Sequence, residues 1–132
     1  MKTLVVYDST YGFTEKIAKA IGSGIAGDVK VSRFTEIMPG DIEGTDLLVI
    51  GSPTQGGRPL KPLQEWLDNI SEAAVKGKKV AVFDTRMPAA WVKIFSFAGL
   101  RIAGVMKKKG ATLIGEPQGF FVKAAKGPLC RW

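Results

Sequence analysis

The sequence predicts an open α/β domain built on a parallel sheet. Three observations predict it. Short apolar runs of strand length alternate along the chain with longer segments whose apolar residues recur at helical spacing. Two of those runs, 46–51 and 79–84, are apolar on both faces, as strands covered by helices on each side must be. Residues 5–21, VVYDSTYGFTEKIAKAI, read as a buried strand, a hydroxyl-rich turn and an amphipathic helix.

The elements follow in order. The first strand is Thr3–Asp8, and the first helix covers about Phe13–Ser23, with Ile17, Ala18, Ile21 and Ile25 at core spacing. The second strand, Val29–Phe34, alternates Val29 and Val31 with Lys30 and Ser32, the mark of a half-exposed edge. A short polar segment with Pro39 and Gly40 leads to the third strand, Asp46–Gly51. The next helix, about Leu60–Ser71, puts Leu60, Leu63, Leu67 and Ile70 on one stripe. The fourth strand is Lys79–Asp84, and a long apolar helix is expected over about Pro88–Lys109. A last strand pair, Ala111–Gly115 and Gly119–Val122, is broken by Glu116-Pro117-Gln118. Strands separated by helices pair in parallel through right-handed crossovers. Ligands of such sheets sit outside the carboxyl ends of the strands, where the loops 9–14, 52–58 and 84–88 should converge.

Bulk properties narrow the class. The 132 residues form one domain, 1–132, and 45% hydrophobic content supports a packed core. The single cysteine, Cys130, cannot build a disulfide framework, which fits a reducing cytoplasm. The N-terminus runs directly into a strand, so no signal peptide is expected. With no histidine, a zinc or haem site made by this chain alone is not expected. Net charge is +7, concentrated in Lys76-Gly77-Lys78-Lys79 and Lys107-Lys108-Lys109. Both runs fall where helices should end, which suits the helix dipole; the sharper reading is docking to an acidic partner. Basic residues are not interleaved with stacking aromatics, so nucleic acid is not an expected partner. Lys93 and Arg101 interrupt the apolar helix, so no membrane span is expected.

The turn Ser9-Thr10-Tyr11-Gly12-Phe13-Thr14 carries the chemistry. It holds three Ser and Thr hydroxyls, one glycine and no lysine or arginine. A helix N-terminus offers unpaired N–H donors and about half a positive charge, so with those hydroxyls it can hold a phosphate dianion without a formal cation. No G-x-x-x-x-G-K-[ST] occurs, so this is not a nucleotide-hydrolysing loop. A G-x-G-x-x-G does occur at Gly22, Gly24 and Gly27, but it follows a helix instead of a strand and reads as a helix stop with a loose turn.

These residues resemble the flavodoxin signature through Val5, Val6, Tyr7, Ser9, Gly12, Thr14, Ala18 and Ile21. The loop Gly51-Ser52-Pro53-Thr54-Gln55-Gly56-Gly57 is similar to the family's loop over one flavin face, and Phe83-Asp84-Thr85-Arg86 falls where the family makes its other ring contact. The resemblance covers residues 1 to about 123. It implies a flavodoxin-like three-layer sandwich with a five-stranded parallel sheet in the order 2-1-3-4-5. It implies FMN as cofactor, with Ser9, Thr10, Tyr11, Gly12, Phe13 and Thr14 around the phosphate. Ser52, Pro53, Thr54, Gln55, Gly56 and Gly57 would line the ring, and Asp84, Thr85 and Arg86 would reach its pyrimidine edge. A peptide flip at Gly56-Gly57 would offer a carbonyl to the flavin N5–H of the one-electron-reduced ring.

The chain departs from the family pattern in three ways. The ring-facing loops offer Gln55, Arg86, Met87 and Pro88 where aromatic and acidic residues are usual, with Tyr11 and Trp91 the nearest aromatics in sequence. Arg86 beside the pyrimidine edge would stabilise a reduced anionic flavin. The family's last helix is also expected to be missing, since the residues after the last strand are too few for it, which would leave apolar residues of strands three to five uncovered. Self-association or a partner protein is expected on that face, with a shortened, less stable domain as the rival account. Trp66 on the Leu60–Ser71 helix reads as packing or surface. The leading functional expectation is an FMN electron carrier between redox proteins. An FMN-dependent quinone or porphyrinogen-type oxidoreductase and a flavin-free interaction module of the same fold are the alternatives.

Overall fold

The computed structural model describes residues 2–9, 12–53, 60–86, 98–115 and 118–121, with backbone alone at 39, 86, 98–100 and 118–121. Its sheet runs β2-β1-β3-β4-β5, with a sixth strand also on β4. The strands are β1 (Lys2–Tyr7), β2 (Asp28–Arg33), β3 (Leu47–Pro53), β4 (Lys79–Arg86), β5 (Thr112–Leu113) and β6 (Gln118–Phe121). Every pairing is parallel. β5 pairs with the start of β4 at Lys79 and Val80, and β6 with its end from Phe83 to Arg86. The expected last strand pair is thus one edge in two pieces. Gln118, read from sequence as part of the break, opens the second piece.

The helices are α1 (Phe13–Gly24), α2 (Pro39–Glu43), α3 (Lys61–Asn69), α4 (Glu72–Val75) and α5 (Ala98–Lys108). α2 stands where a polar connection was expected. Pro39 starts it with a ready-made helical φ, and the Asp41 carboxylate accepts the Met38 N–H at 2.9 Å. The helix expected over Leu60–Ser71 is α3, which ends at Asn69; a further short helix, α4, follows it, capped by Ser71, whose side chain accepts the Ala73 N–H. Of the long helix expected over Pro88–Lys109, Ala98–Lys108 is described as α5; residues 88–97 lie outside the described residues.

Two apolar layers flank the sheet. On one face Leu4, Val6, Leu48, Ile50, Val80 and Val82 meet Leu63 and Leu67 of α3 and Ile102 and Met106 of α5. On the other, Val5, Tyr7, Val49 and Phe83 meet Ile17 and Ala18 of α1. The alternation of strand residues between these layers is the two-residue period of a pleated sheet. Trp66 packs beside Phe34, ring centroids 6.0 Å apart, next to the α3 layer, in agreement with its reading as a packing residue.

The face expected to lie open is more covered than the sequence pattern implies. Val49 and Phe83 are buried, and Leu47 and Ala81 are half-buried against the α1 layer. Ile114 remains 46% exposed. The reason is a cross-strand fit. Gly51 is the β3 neighbour of Phe83, and a Cβ built on it would lie 2.0 Å from Phe83 Cζ. The missing side chain lets the ring lie across β3. Gly22 is a similar case: it lies inside the last turn of α1, which runs on to Gly24, and packs on β2, where a Cβ would meet Val31 Cγ2 at 2.5 Å.

Gly51→Ala should therefore destabilise the domain by about 2 kcal/mol through overpacking. Urea denaturation should show a lowered midpoint with an unchanged slope, and Gly51→Ala with Phe83→Leu should recover part of the loss.

Candidate functional site

The site region is the carboxyl end of β1, β3 and β4. Parallel register aligns Arg33, Tyr7, Gly51 and Phe83 in one row across β2, β1, β3 and β4. One residue further, the Asp8 N–H still donates to the Gly51 carbonyl at 3.1 Å, and Ser52 pairs with Asp84. The first loop leaves the sheet just past this row, while β3 runs on to Pro53 and β4 to Arg86, so Ser52, Pro53, Asp84, Thr85 and Arg86 are strand residues.

The first loop is held at both ends. The Ser9 N–H donates to Asp8 Oδ1 at 2.9 Å, and the Gly12 N–H donates to Ser9 Oγ at 2.9 Å. Gly12 sits at φ +92°, a conformation that favours glycine, and its carbonyl accepts the Lys16 N–H to begin α1. No side-chain cap closes the α1 N-terminus among the described residues. Thr10 and Tyr11 lie outside them. Thr14 is buried, and its hydroxyl lies 3.1 Å from that of Thr85 on β4. That bond ties the first loop to the third.

In the second loop Ser52 is fully buried. Its hydroxyl donates to the Pro53 carbonyl at 2.9 Å and accepts the Leu60 N–H at 3.2 Å, which bridges the two ends of the loop. Thr54, Gln55, Gly56 and Gly57 lie outside the described residues. The third loop, expected at 84–88, begins as strand instead: β4 runs on to Arg86, held by its pairing with β6, with Asp84 fully buried, Thr85 nearly so and the backbone alone described at Arg86; residues 87 and 88 lie outside the described residues.

Sequence reading missed Arg33. It lies outside all three loops, at the end of an edge strand, and only the register of β2 on β1 brings it to the first turn. Its Nη1 donates to Asp8 Oδ1 and to the Ser9 carbonyl, both at 3.1 Å, and its Cζ stands 5.5 Å from the centre of the Tyr7 ring. Tyr7 in turn donates from its hydroxyl to Glu15 Oε1 at 2.9 Å. Burial, then the bond to Glu15, pushes the Tyr7 phenol up. The same bond, followed by the charge of Lys19, holds Glu15 below the usual carboxylate range.

A groove of about 560 Å³ opens elsewhere, lined by Met38, Ile42, Trp66, Ile70 and Lys78, at the amino ends of the strands. It shares no residue with the three loops. Among the described residues no helix is long and apolar enough to cross a membrane.

A doubly wound parallel sheet with a hydroxyl-bearing strand-to-helix turn at its switch point, its helix start without a side-chain cap among the described residues, defines a mononucleotide-binding class. The flavodoxin family model matches residues 5–127, so the chain belongs to the flavodoxin family of electron-transfer proteins. It is 30% identical to flavodoxin 1 of Salmonella typhimurium over 129 residues, 95% of this chain and 73% of that protein. It is 30% identical to a flavodoxin of Maridesulfovibrio salexigens over 122 residues, 87% of this chain and 82% of that one. The structure of a flavodoxin from the domain Archaea superposes with a TM-score of 0.82 at 29% identity, covering 93% of this chain and 85% of that one. The fold class and the order 2-1-3-4-5 agree with the expectation from sequence.

The Tyr7–Glu15 bond yields a prediction. Tyr7→Phe should cost about 1 kcal/mol at neutral pH, the worth of an ordinary hydrogen bond. Because Glu15 is depressed in the fold, its contribution is present above the usual carboxylate range and is lost as pH falls through its lowered folded value. Tyr7→Phe should flatten that acid-side loss. It should also remove the loss that the raised Tyr7 phenol causes in wild type above about pH 10. Urea midpoints across pH measure both.

Proposed function

We propose that this chain binds FMN non-covalently at the carboxyl end of its sheet and carries electrons between redox proteins. One observation carries the reading. The turn after β1 offers neutral donors around a helix start with no side-chain cap among the described residues, and the acidic side chains Asp8 and Glu15 beside it are engaged, Asp8 with Arg33 at 3.1 Å and Glu15 with the Tyr7 hydroxyl at 2.9 Å. That donor set suits a phosphate monoester dianion. FMN, once bound, supplies one-electron chemistry at its ring. The protein binds and orients it. Ser9, Thr10, Tyr11, Gly12, Phe13 and Thr14 take the phosphate. Ser52, Pro53, Thr54, Gln55, Gly56 and Gly57 flank the ring, with Ser52 holding the loop ends from below. Asp84, Thr85 and Arg86 meet the pyrimidine edge, and the Thr14–Thr85 bond keeps the phosphate and ring sites in fixed relation.

Redox partners reach the ring at the loop pole. The basic runs support no role there, since they lie at the amino ends of the strands. Lys78 Nζ donates to the Glu43 and Thr45 carbonyls, and Lys109 Nζ to those of Asp68 and Ile70. An acidic partner would use the exposed remainder, Lys76, Lys79, Lys107 and Lys108. Half-buried Leu47 and Ala81 and exposed Ile114 mark where a second copy would rest on the sheet. A cytoplasmic setting fits the single cysteine.

Two measurements test the reading. Adding FMN to purified protein should bind it with a Kd of about 1 µM or tighter, with riboflavin clearly weaker; a Kd above about 1 mM would favour a flavin-free module instead. Light scattering at high micromolar concentration should show a dimer if the sheet face is an interface, and a monodisperse monomer removes that part of the proposal.

A further inference from the structure

We propose that Arg33 is a positioning and charge-cancelling residue of the phosphate site: it anchors Ser9 and neutralises the Asp8 carboxylate that would otherwise repel the dianion. This inference rests on the FMN reading above.

The turn contains no cation of its own, and the residue just before it is an aspartate. Asp8 Oδ1 accepts the Ser9 N–H, so this carboxylate is coupled directly to the first residue of the turn. An uncancelled carboxylate that close, inside a Debye length of about 8 Å, should weaken a bound dianion about tenfold or more. Arg33 reaches in from β2 and meets both parts of the problem with one nitrogen. Nη1 lies 3.1 Å from Asp8 Oδ1 and 3.1 Å from the Ser9 carbonyl. Ser9 is thereby gripped through its N–H, its carbonyl and its hydroxyl.

The guanidinium is itself placed by a short relay. Its Cζ stands 5.5 Å from the centre of the Tyr7 ring, and the Tyr7 hydroxyl is bonded to Glu15 on α1. Cation–π contact of this kind orients a guanidinium over the ring face. The pair is unequally exposed, 36% for the Arg33 side chain and 10% for Asp8. A pair with one partner so open to water contributes little to stability. Its importance therefore lies in what it does to a neighbouring anion.

The test compares FMN with riboflavin, which lacks the phosphate, on wild type, R33K, R33Q, D8N and D8N/R33Q at physiological salt. R33Q should bind FMN about tenfold or more weakly and riboflavin within about threefold of wild type. R33K keeps the charge and should hold FMN within about threefold of wild type. D8N/R33Q removes both charges and should regain most of the affinity lost in R33Q. D8N alone, read with particular weight if R33Q folds poorly by circular dichroism, should bind FMN more tightly with riboflavin unchanged. The proposal is overturned if R33Q leaves FMN binding unchanged or weakens both ligands alike. It is equally overturned if D8N/R33Q stays as weak as R33Q, or if D8N fails to tighten FMN. Wild type that binds no FMN overturns the flavin reading and this proposal with it, whereas wild type that binds FMN alongside an unaffected R33Q sinks only the role of Arg33.

Discussion

Everything at the functional end of this protein depends on the parallel register of β2, β1, β3 and β4. Four strands run in the same direction and in step, so their carboxyl ends lie at one pole of the sheet, with β3 and β4 running on past β1 and β2. The row Arg33–Tyr7–Gly51–Phe83 is the last full layer of the α1 face before the loops begin. It is a tightly fitted layer, since Phe83 occupies the space that Gly51 vacates. A slip of one residue would turn every side chain of the slipped strand to the opposite face. Arg33 would then lose Tyr7, and Phe83 would lose its place over Gly51.

On that layer the loops are tied down by short polar contacts, not by burial alone. Ser52 spans the ends of the second loop, the Thr14 and Thr85 hydroxyls join the first to the third, and Ser9 is held on three sides. Loop ends fixed before a ligand arrives lose less conformational entropy on binding.

Charge is sorted along the strand direction. At the loop end, Asp8 and Arg33 offset each other, and Glu15 is engaged with Tyr7 and Lys19. At the other end stand the lysine runs, where Lys78 and Lys109 stitch backbone carbonyls of α2, α3 and their connections. What reads in the sequence as a basic patch is in part a set of helix and loop fastenings. This is the structural use that the helix-end positions of both runs suggested.

The strand order came from the family resemblance; periodicity and composition by themselves determined the layered α/β class and the three loops where a site should form. These are properties of local spacing: two-residue alternation, 3.6-residue stripes, and a hydroxyl-rich turn between a strand and a helix. The short helix α4 was written locally too, in the cap at Ser71, just beyond the apolar stripe through Leu63, Leu67 and Ile70 that marks α3. Only the tertiary structure decided that Phe83 lies over Gly51, that Ser52 faces inward to close its own loop, and that Arg33 belongs to the first turn. Those contacts join residues 8 to 32 positions apart in sequence. They depend on which strands pair and in what register, and no local pattern encodes that.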